Sequence, residues 1–368
     1  MTTKVRVDLR AIAVRAFSCC FAFLVACGGG GGGPTTPSEK STASSGSTAT
    51  PSGVSTASPV VSQSPTMSAT STPQIVTYQL SSTAGPSEIA LGPDGNMWFL
   101  ETGTGAPASA LATITSSGAV TTYALGTLPL MYLATGPDGN IWITDGQSNP
   151  GVTKVTTGGV ATTYPIAGNH YPGSITVGSD GNLWFTDSNN NSIDKMTTSG
   201  TLTFHPLASG ANPLGITSGP SSELWYSEAG LGAIGSMTTS GSATTFPLNI
   251  SGSYPTAIAY GPDGNLWVCD GNTNAIERVT PSGSVTSYPI NGGALTGIPM
   301  ELRVGPDGNM WFLELGLGSN PTSIMSISTA GHFTNYALSV TPSAIAWGSN
   351  NTLWFTEYRP SIVGKIIF

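Results

Sequence analysis

The sequence predicts an all-β protein, a seven-bladed β-propeller over residues 74–368, and three observations lead to this prediction. Seven tryptophans recur at nearly constant spacing, the same pattern of turns and strands surrounds each, and the two ends of the repeated region complement each other. The tryptophans are 44, 42, 41, 42, 44 and 43 residues apart, and in chain order they are Trp98, Trp142, Trp184, Trp225, Trp267, Trp311 and Trp354. Four short strands in about 43 residues make one propeller blade.

Each unit contains four predicted strands. The first is a short apolar run such as residues 89–91, and a Gly-Pro-Asp-Gly-Asn turn, as at 92–96, leads into the strand that carries the tryptophan. Glycine and asparagine favour this turn because they tolerate positive φ. A third strand follows a variable loop, as at 192–197, and a fourth follows a Gly-containing turn, as at 285–290. Prolines in the fourth strand predict that it lies at the outer edge of the blade.

The ends of the repeated region predict how the ring closes. Residues 361–368 match a third strand with no fourth strand after it, whereas residues 74–80 match a fourth strand with no blade before it. We therefore expect the N-terminal strand to complete the last blade, because this arrangement leaves no unpaired blade edge at the closure point.

The first 26 residues have the pattern of an export signal. Four basic residues precede an apolar stretch of about 11 residues, which is too short to span a bilayer. The basic residues are Lys4, Arg6, Arg10 and Arg15. Residues 24–27, Leu-Val-Ala-Cys, resemble the bacterial lipobox, so Cys27 is predicted to become a lipidated N-terminus. The alternative is a plain secretory signal with an incidental cysteine.

Residues 27–73 are predicted to be a lipidated, disordered tether. Six glycines follow Cys27, and the rest is rich in Ser, Thr, Pro and Ala. Such a segment cannot bury enough apolar surface to offset the entropy of ordering. Gly28 is not the aspartate that retains lipoproteins at the inner membrane of enteric bacteria, so we expect outer-membrane or cell-surface placement. Cys269 is the cysteine left after signal removal and lipidation, and no intramolecular disulfide is expected.

The charge of the chain argues against nucleic acid as a partner. Charged residues make up 8% of the sequence, and the net charge is −8. Without the first 26 residues, 7 basic and 18 acidic residues remain, whereas binding to nucleic acid needs a basic footprint. We expect a monomer that contacts the membrane through its lipid anchor only.

The repeated units resemble those of the virginiamycin B lyase (streptogramin lyase) family. The resemblance covers residues 74–368 and rests on Gly-Pro-Asp-Gly-Asn-(Leu/Met/Ile)-Trp-Phe-x-(Glu/Asp), Ile-x-(Lys/Arg)-(Ile/Val/Met)-Thr and Thr-x-Tyr-Pro-(Ile/Leu). It implies an enzyme that opens the ester-closed ring of a streptogramin B antibiotic by elimination, with Mg²⁺, a His general base and Glu residues near the mouth of the central channel. Sensor ectodomains and lactonase-type propellers have related blades, so the resemblance specifies the fold more closely than the activity.

The residues that the resemblance assigns to catalysis are missing. The family's His stands fourteen residues before the Glu of Trp-Phe-x-Glu, and the seven matching residues are Ser87, Met131, Gly173, Leu214, Thr256, Met300 and Ser343. A second Glu stands two residues before that His, and the matching residues are Gly85, Pro129, Tyr171, Asn212, Tyr254, Ile298 and Thr341. No catalytic residue is therefore assigned from the family motif.

An acidic residue does stand three positions after each of these tryptophans. The seven are Glu101, Asp145, Asp187, Glu228, Asp270, Glu314 and Glu357. Their presence in every unit indicates a repeated structural role, such as accepting hydrogen bonds from backbone N–H groups of the following loop. The alternative is a cation site formed by one or two members of an acidic ring, and the candidates for holding Mg²⁺ are Glu101, Glu228, Glu314 and Glu357.

The three histidines differ in their expected positions. His170 lies in the loop that leads to the first strand of the third unit, so it is the candidate for a general base at the channel mouth. The alternative for His170 is an exposed loop residue. His205 and His332 are expected at the surface, on the outer rim.

Two first strands break their apolar pattern with charged residues. Glu88 occurs in the first unit, and Glu301 and Arg303 occur in the sixth, where they share one strand face. These residues are predicted either to form an ion pair or to line a polar pocket that binds a ligand.

The sequence leaves three hypotheses for function. The preferred one is a cell-envelope lipoprotein whose propeller binds a small molecule or an envelope or extracellular macromolecule, without the family's lyase chemistry. The second is a lyase or metal-dependent hydrolase with a rearranged site that uses the acidic ring and His170. The third is a structural or interaction module whose channel is filled with water only. A divalent metal beside a general base would favour the second hypothesis.

Overall fold

The structure is a computed structural model of the 368-residue chain. It describes residues 51–56, 59–62, 73–81, 85–103, 109–146, 150–294, 296–317, 320, 322–336 and 340–368. The predicted signal at 1–26, the lipidation site Cys27 and most of the segment 27–73 lie outside these residues, so these predictions stay predictions.

Seven antiparallel sheets form a ring, one sheet for each repeated unit, and this confirms the predicted propeller. The strands that precede the first unit are β1 (Pro51–Thr56), β2 (Pro59–Ser62) and β3 (Gln74–Gln79). The first blade contains β4 (Gly85–Leu91), β5 (Met97–Thr102), β6 (Ser109–Ile114) and β7 (Ala119–Gly126). The second contains β8 (Leu130–Thr135), β9 (Ile141–Asp145), β10 (Gly151–Val155) and β11 (Ala161–Pro165). The third contains β12 (Pro172–Val177), β13 (Leu183–Asp187), β14 (Ser192–Met196) and β15 (Leu202–Pro206).

The remaining four blades repeat this order. The fourth contains β16 (Pro213–Ser218), β17 (Leu224–Glu228), β18 (Ala233–Met237) and β19 (Ala243–Pro247). The fifth contains β20 (Pro255–Tyr260), β21 (Leu266–Asp270), β22 (Ala275–Val279) and β23 (Val285–Pro289). The sixth contains β24 (Gly297–Val304), β25 (Met310–Gly316), β26 (Ser323–Ile327) and β27 (Phe333–Tyr336), and the seventh contains β28 (Ala344–Trp347), β29 (Leu353–Glu357) and β30 (Ile362–Ile367).

Helical structure in the described residues is limited to short 3₁₀ turns at Pro220–Ser222, Ile290–Gly293 and Ser349–Asn351. In this part of the chain, no helix has the length and apolar character needed to cross a membrane.

The seventh blade is completed by the N-terminal strand, as the sequence predicts. Strand β3 pairs antiparallel with β30 along its whole length, with Ile75 opposite Ile366 and Tyr78 opposite Val363. The first strand of each blade contacts the first strands of both neighbouring blades, so these strands surround the centre of the ring. The ring is therefore closed by a strand from each end of the repeated region.

Two short strands lie inside the segment that is predicted to be a disordered tether. Strand β1 pairs with β7 at the outer edge of the first blade, and β2 pairs with β3 at the outer edge of the seventh. For these ten residues the structure differs from the prediction. Outer blade edges have unpaired N–H and C=O groups, and an extended Val-, Ser- and Thr-containing segment can pair with them.

The seven repeated tryptophans form the core of the blades. Each indole ring stacks on an aromatic ring of the fourth strand of its blade, with ring centroids 4.7 to 6.0 Å apart. In blade order the stacked partners are Tyr123, Tyr164, His205, Phe246, Tyr288, Tyr336 and Tyr78. His205 lies on the outermost strand of the third blade and is half-buried in this stack, whereas His332 is exposed.

The aspartate of the Pro-Asp-Gly-Asn turn belongs to the same core. In the first blade the indole N–H of Trp98 donates a hydrogen bond to Asp94, with Nε1 2.9 Å from Oδ1. The side chain and backbone N–H of Asn96 donate to the same carboxylate, and these bonds lower its pKa although partial burial acts in the opposite direction. The same hydrogen bond from tryptophan to aspartate recurs in other blades, so the contacts with the tryptophan explain the repeated geometry of this turn.

Neighbouring blades are joined by contacts between this aromatic stack and the next blade's turn. Tyr78 of the seventh blade packs against Gly118 of the first, where an added Cβ atom would lie 2.2 Å from the tyrosine ring. Gly118 also has φ +92°, a conformation that favours glycine. The Lys365 ammonium lies over the Tyr78 ring and donates to the carbonyl of Ser116, with Nζ 2.8 Å from the oxygen. These contacts hold the last blade to the first.

Candidate functional site

The seven carboxylates that follow the tryptophans lie at or near the ends of the second strands. Each is at most 5% exposed. In the third blade, for example, Asp187 ends β13 and is opposite Pro172, where β12 begins. The carboxylates therefore lie beside the loops that enter and leave the blades on one face of the propeller.

Two aspartates of this set, Asp187 and Asp270, accept hydrogen bonds from the backbone of these loops. Asp187 Oδ1 accepts from the N–H groups of Tyr171, Asn189 and Asn190, at 3.1, 3.1 and 3.2 Å. Asp270 repeats this arrangement in the fifth blade. Its Oδ1 accepts from the N–H groups of Tyr254, Asn272 and Thr273, at 3.0, 3.2 and 3.3 Å. This geometry agrees with the structural role that the repeated occurrence of the residues indicates.

The glutamates of the set differ from one another. Glu357 Oε1 accepts from the backbone N–H and the hydroxyl of Thr341, at 3.0 and 2.9 Å. Glu314 Oε1 accepts from the hydroxyl of Thr296 at 3.1 Å. Burial raises the pKa of Glu228, and its Oε2 has no hydrogen-bond partner among the described residues. Glu101 is buried at the end of the first blade's second strand.

These glutamates do not come together as a metal-binding group. Within the described residues, neither Glu101, Glu228, Glu314 nor Glu357 belongs to a group of three potential metal ligands. The seventh blade combines Glu357 with Thr341 and Ser343, where the family motif has two Glu and a His. One carboxylate whose Oε1 already accepts two hydrogen bonds does not fit the Mg²⁺ site that the family implies.

Several residues at the family's His position bind the backbone of their own blade. The hydroxyl of Ser343 accepts a hydrogen bond from the N–H of Tyr358 at 3.2 Å. The hydroxyl of Thr256 donates to the carbonyl of Cys269 at 3.2 Å. These side chains have hydrogen-bond roles between first and second strands, and none of them can act as an imidazole base.

Glu88, Glu301 and Arg303 form one ion-paired group on first strands of the ring. The guanidinium nitrogen Nη2 of Arg303 is 3.0 Å from Glu88 Oε1 and 2.9 Å from Glu301 Oε2. The Arg303 side chain is 36% exposed, whereas those of Glu88 and Glu301 are 10% and 15% exposed. Strands β4 and β24 belong to the first and sixth blades, so the group bridges two blades that are not adjacent in the ring.

The surroundings of this group are unfavourable for charge. Burial raises the pKa of Glu88 to about 8, with a further contribution from the Glu301 carboxylate and an opposing one from Arg303. Burial also raises the pKa of Glu301 and that of Tyr132. The backbone of Glu301 has φ +57°, a left-handed conformation that costs about 1–3 kcal/mol for a residue with a side chain. Both buried charge and backbone strain are typical of functional sites.

His170 lies beside the third blade, held by Asp187. Its Nδ1 is 2.5 Å from Asp187 Oδ2, and the side-chain amide nitrogen of Asn190 is 3.0 Å from both atoms. The imidazole ring stacks on Phe204, with centroids 4.8 Å apart. The His170 side chain is 15% exposed. It is thus a partly buried, hydrogen-bonded residue and not a free loop side chain.

A cleft of about 320 Å³ lies next to His170. Residues of the His170 loop line it, together with residues that follow β9 and β13. They are Gly146, Pro150, Gly168, Asn169, His170, Tyr171 and Asn189. The sequence predicted that this loop faces the channel mouth, and it did not predict a cleft that includes residues that follow β9 of the second blade.

Asp194 was missed by the sequence analysis. It lies in the middle of β14, opposite Phe185 and Phe204, and is fully buried. Burial raises its pKa to about 7. The signal was present in the sequence, because Asp194 and Glu277 are the carboxylates at a third-strand position where the other blades have Ala, Thr, Gly or Met.

The comparisons with known proteins agree with the repeated pattern. Residues 129–368 match the model of the Virginiamycin B lyase family. A solved streptogramin B lyase is 28% identical with a TM-score of 0.71, and the match covers 80% of this chain and 97% of that one. No curated protein sequence matches the chain.

Two further solved structures are of virginiamycin B lyase from Staphylococcus aureus. One contains selenomethionine, is 27% identical, has a TM-score of 0.72 and covers 80% of this chain and 99% of that one. The other is a catalytically inactive His-to-Ala variant with quinupristin, 27% identical, with a TM-score of 0.70 and coverage of 80% and 99%.

Proposed function

The chain belongs to the virginiamycin B lyase family, and on that premise we propose that it is a binding module of the bacterial cell envelope that lacks the family's His-dependent elimination. The observation that carries this proposal is the replacement of the family's His at all seven matching positions. In the seventh blade, where the carboxylate Glu357 is kept, Ser343 and Thr341 stand in place of the His and the second Glu.

The ligand that we propose is a small peptide-like molecule bound inside the ring at Glu88, Glu301 and Arg303. A guanidinium and two carboxylates offer both donors and acceptors to amide and ester groups. A buried ion pair need not stabilise the fold, because the free-energy cost of removing its charges from water can exceed their Coulombic attraction. A role in ligand binding explains better than a role in stability why three charged side chains and a left-handed backbone conformation at Glu301 occur together here.

Titration calorimetry with quinupristin tests this binding proposal. We expect saturable binding that Arg303→Met weakens by about 10-fold or more, since a hydrogen bond to a charged group contributes about 1.5–3 kcal/mol. Arg278→Met is the matched control, because Arg278 lies over the Trp267 and Tyr288 rings, in a blade core. Equal affinity of both variants and of the unaltered chain would place the ligand elsewhere, and absence of binding would exclude quinupristin as a ligand.

A second candidate function is a lyase or metal-dependent hydrolase with a rearranged site. The hydrogen bond between His170 and Asp187 favours it, because a carboxylate that orients an imidazole is a recurring arrangement for a general base. The cleft beside His170 would admit a substrate. The two candidates differ in whether a depsipeptide is consumed or only bound.

We further propose that a lipid on Cys27 anchors the protein in the outer membrane or at the cell surface, as the lipobox-like residues 24–27 suggest. Cys27→Ser should move the protein from the membrane fraction to the soluble fraction, because the thiol is the predicted attachment point. Fractionation and immunoblotting measure this, with Cys269→Ser as the control that should stay in the membrane. Unchanged membrane association and mobility of the Cys27 variant would contradict the anchor.

A further inference from the structure

Among the residues that the structure describes, none is a hydrogen-bond partner of the buried Asp194 carboxylate. The residue is fully buried, and neither side-chain oxygen makes a hydrogen bond among the described residues. The Ser192 hydroxyl and the His205 backbone are close enough to lower its pKa, but neither bonds to it with normal geometry. A buried, unpartnered carboxylate is strongly unfavourable unless a cation or donor compensates it.

In the fifth blade, the carboxylate at the equivalent position has a hydrogen-bond donor for one of its two oxygens. Glu277 occupies the position of Asp194, and the hydroxyl of Ser287 on the facing strand donates to its Oε1 at 2.9 Å. At the corresponding position of the third blade the facing residue is Phe204, which has no donor. The carboxylate of Asp194 therefore lacks the partner that its counterpart has.

The loop that enters the third blade also differs from the loop that enters the fifth. In the fifth blade Ser253 donates its hydroxyl proton to Asp270, with Oγ 2.5 Å from Oδ2. In the third blade the matching residue is His170, which contacts Asp187 in the same way. The third blade thus has an imidazole nitrogen where the fifth has a hydroxyl, and the imidazole is a common metal ligand.

We propose that His170, Asp187 and Asp194 bind one divalent transition-metal cation such as Zn²⁺ or Mn²⁺, between the third blade and the loop that enters it. One ligand atom from each residue lies within 4.8 Å of the others. A neutral imidazole and two carboxylates offer one nitrogen and two oxygens with two negative charges, which suits such a cation better than the oxygen ligands alone that Mg²⁺ prefers.

The surroundings of these three residues fit a metal site that leaves one coordination position for water or substrate. Three protein ligands are the usual number where a metal keeps a place for water or substrate. His170 also lines the cleft, so the site has access to solvent. The amide of Asn190, 3.0 Å from His170 Nδ1, is the adjacent group that would have to turn when the metal binds. This inference does not depend on the ligand proposed for the centre of the ring.

Calorimetry and thermal unfolding of the chelator-treated full chain, with Zn²⁺, Mn²⁺ or Mg²⁺ added, test the proposal. We expect one equivalent of Zn²⁺ or Mn²⁺ to bind and to raise the unfolding temperature, with a smaller effect of Mg²⁺. Asp194→Asn keeps the shape of the side chain and should weaken binding by at least about 10–100-fold, the loss typical even of residues that only support a ligand.

Two variants make the result specific to this site. Glu277→Gln changes the counterpart carboxylate in the fifth blade and should leave metal affinity unaltered. His170→Ser introduces the residue of the fifth blade and should weaken binding as Asp194→Asn does, and circular dichroism checks that each variant is folded. No saturable binding, binding that survives both site variants, or binding lost equally in Glu277→Gln would overturn the proposal.

Discussion

Quinupristin, the compound in the structure of the inactive virginiamycin B lyase variant, should remain intact when the purified chain is incubated with it and excess Mg²⁺. The reason is the missing imidazole, since a positioned general base contributes about 10²–10⁴ in rate. The matching residues Ser343 and Thr256 make hydrogen bonds with their own blades and cannot replace it. Mass spectrometry would measure the linearised product against an authentic lyase at equal concentration.

A gain-of-function variant serves as the matched control for this prediction. Thr341→Glu combined with Ser343→His recreates the family's spacing before Glu357, and we expect detectable linearisation that a chelator abolishes. Linearisation by the unaltered chain at a rate comparable to the authentic lyase, lost with chelator and in His170→Ala, would contradict the binding-module proposal. That outcome would support the rearranged enzyme.

Removal of the closing strand should destabilise the propeller strongly. A chain that begins at Ser81 lacks β3 and with it Tyr78 and Leu80, which are 3% and 6% exposed in the core between the seventh and first blades. Two such buried side chains contribute about 3–6 kcal/mol, a large part of a typical folding free energy of about 5–15 kcal/mol. A lower unfolding temperature or loss of the folded state is expected by circular dichroism.

Deletion of residues 28–72 is the control for this truncation. It removes β1 and β2 but keeps β3, and because these two strands pair only at outer edges, we expect a small change in unfolding temperature. Tyr78→Ala in the full chain should cost about 3–5 kcal/mol, whereas Leu231→Ala, 44% exposed, should cost little. Equal unfolding temperatures of the two truncated chains would contradict the role of β3.

The structural role of the repeated carboxylates follows from the sequence for a physical reason. Asp187 and Asp270 occupy equivalent positions in their units, and they accept equivalent sets of backbone N–H groups. An individual function has to arise where units differ. The third blade differs from the fifth at the proposed metal site. It has His170 where the fifth blade has Ser253, and Phe204 where the fifth has Ser287.

The repeated units determined the fold, because each blade is built from about 43 neighbouring residues, and the complementary ends of the repeated region determined the closure. The packing between blades, by contrast, decided which side chains meet. Glu88 and Arg303 are 215 residues apart and pair because their first strands both face the centre of the ring. His170 reaches Asp194 because the entering loop turns over the third blade, and a strand pattern alone does not encode that distance. The edge pairing of β1 and β2 likewise depends on the tertiary structure, because β1 pairs with β7 of the first blade and β2 with β3 of the seventh.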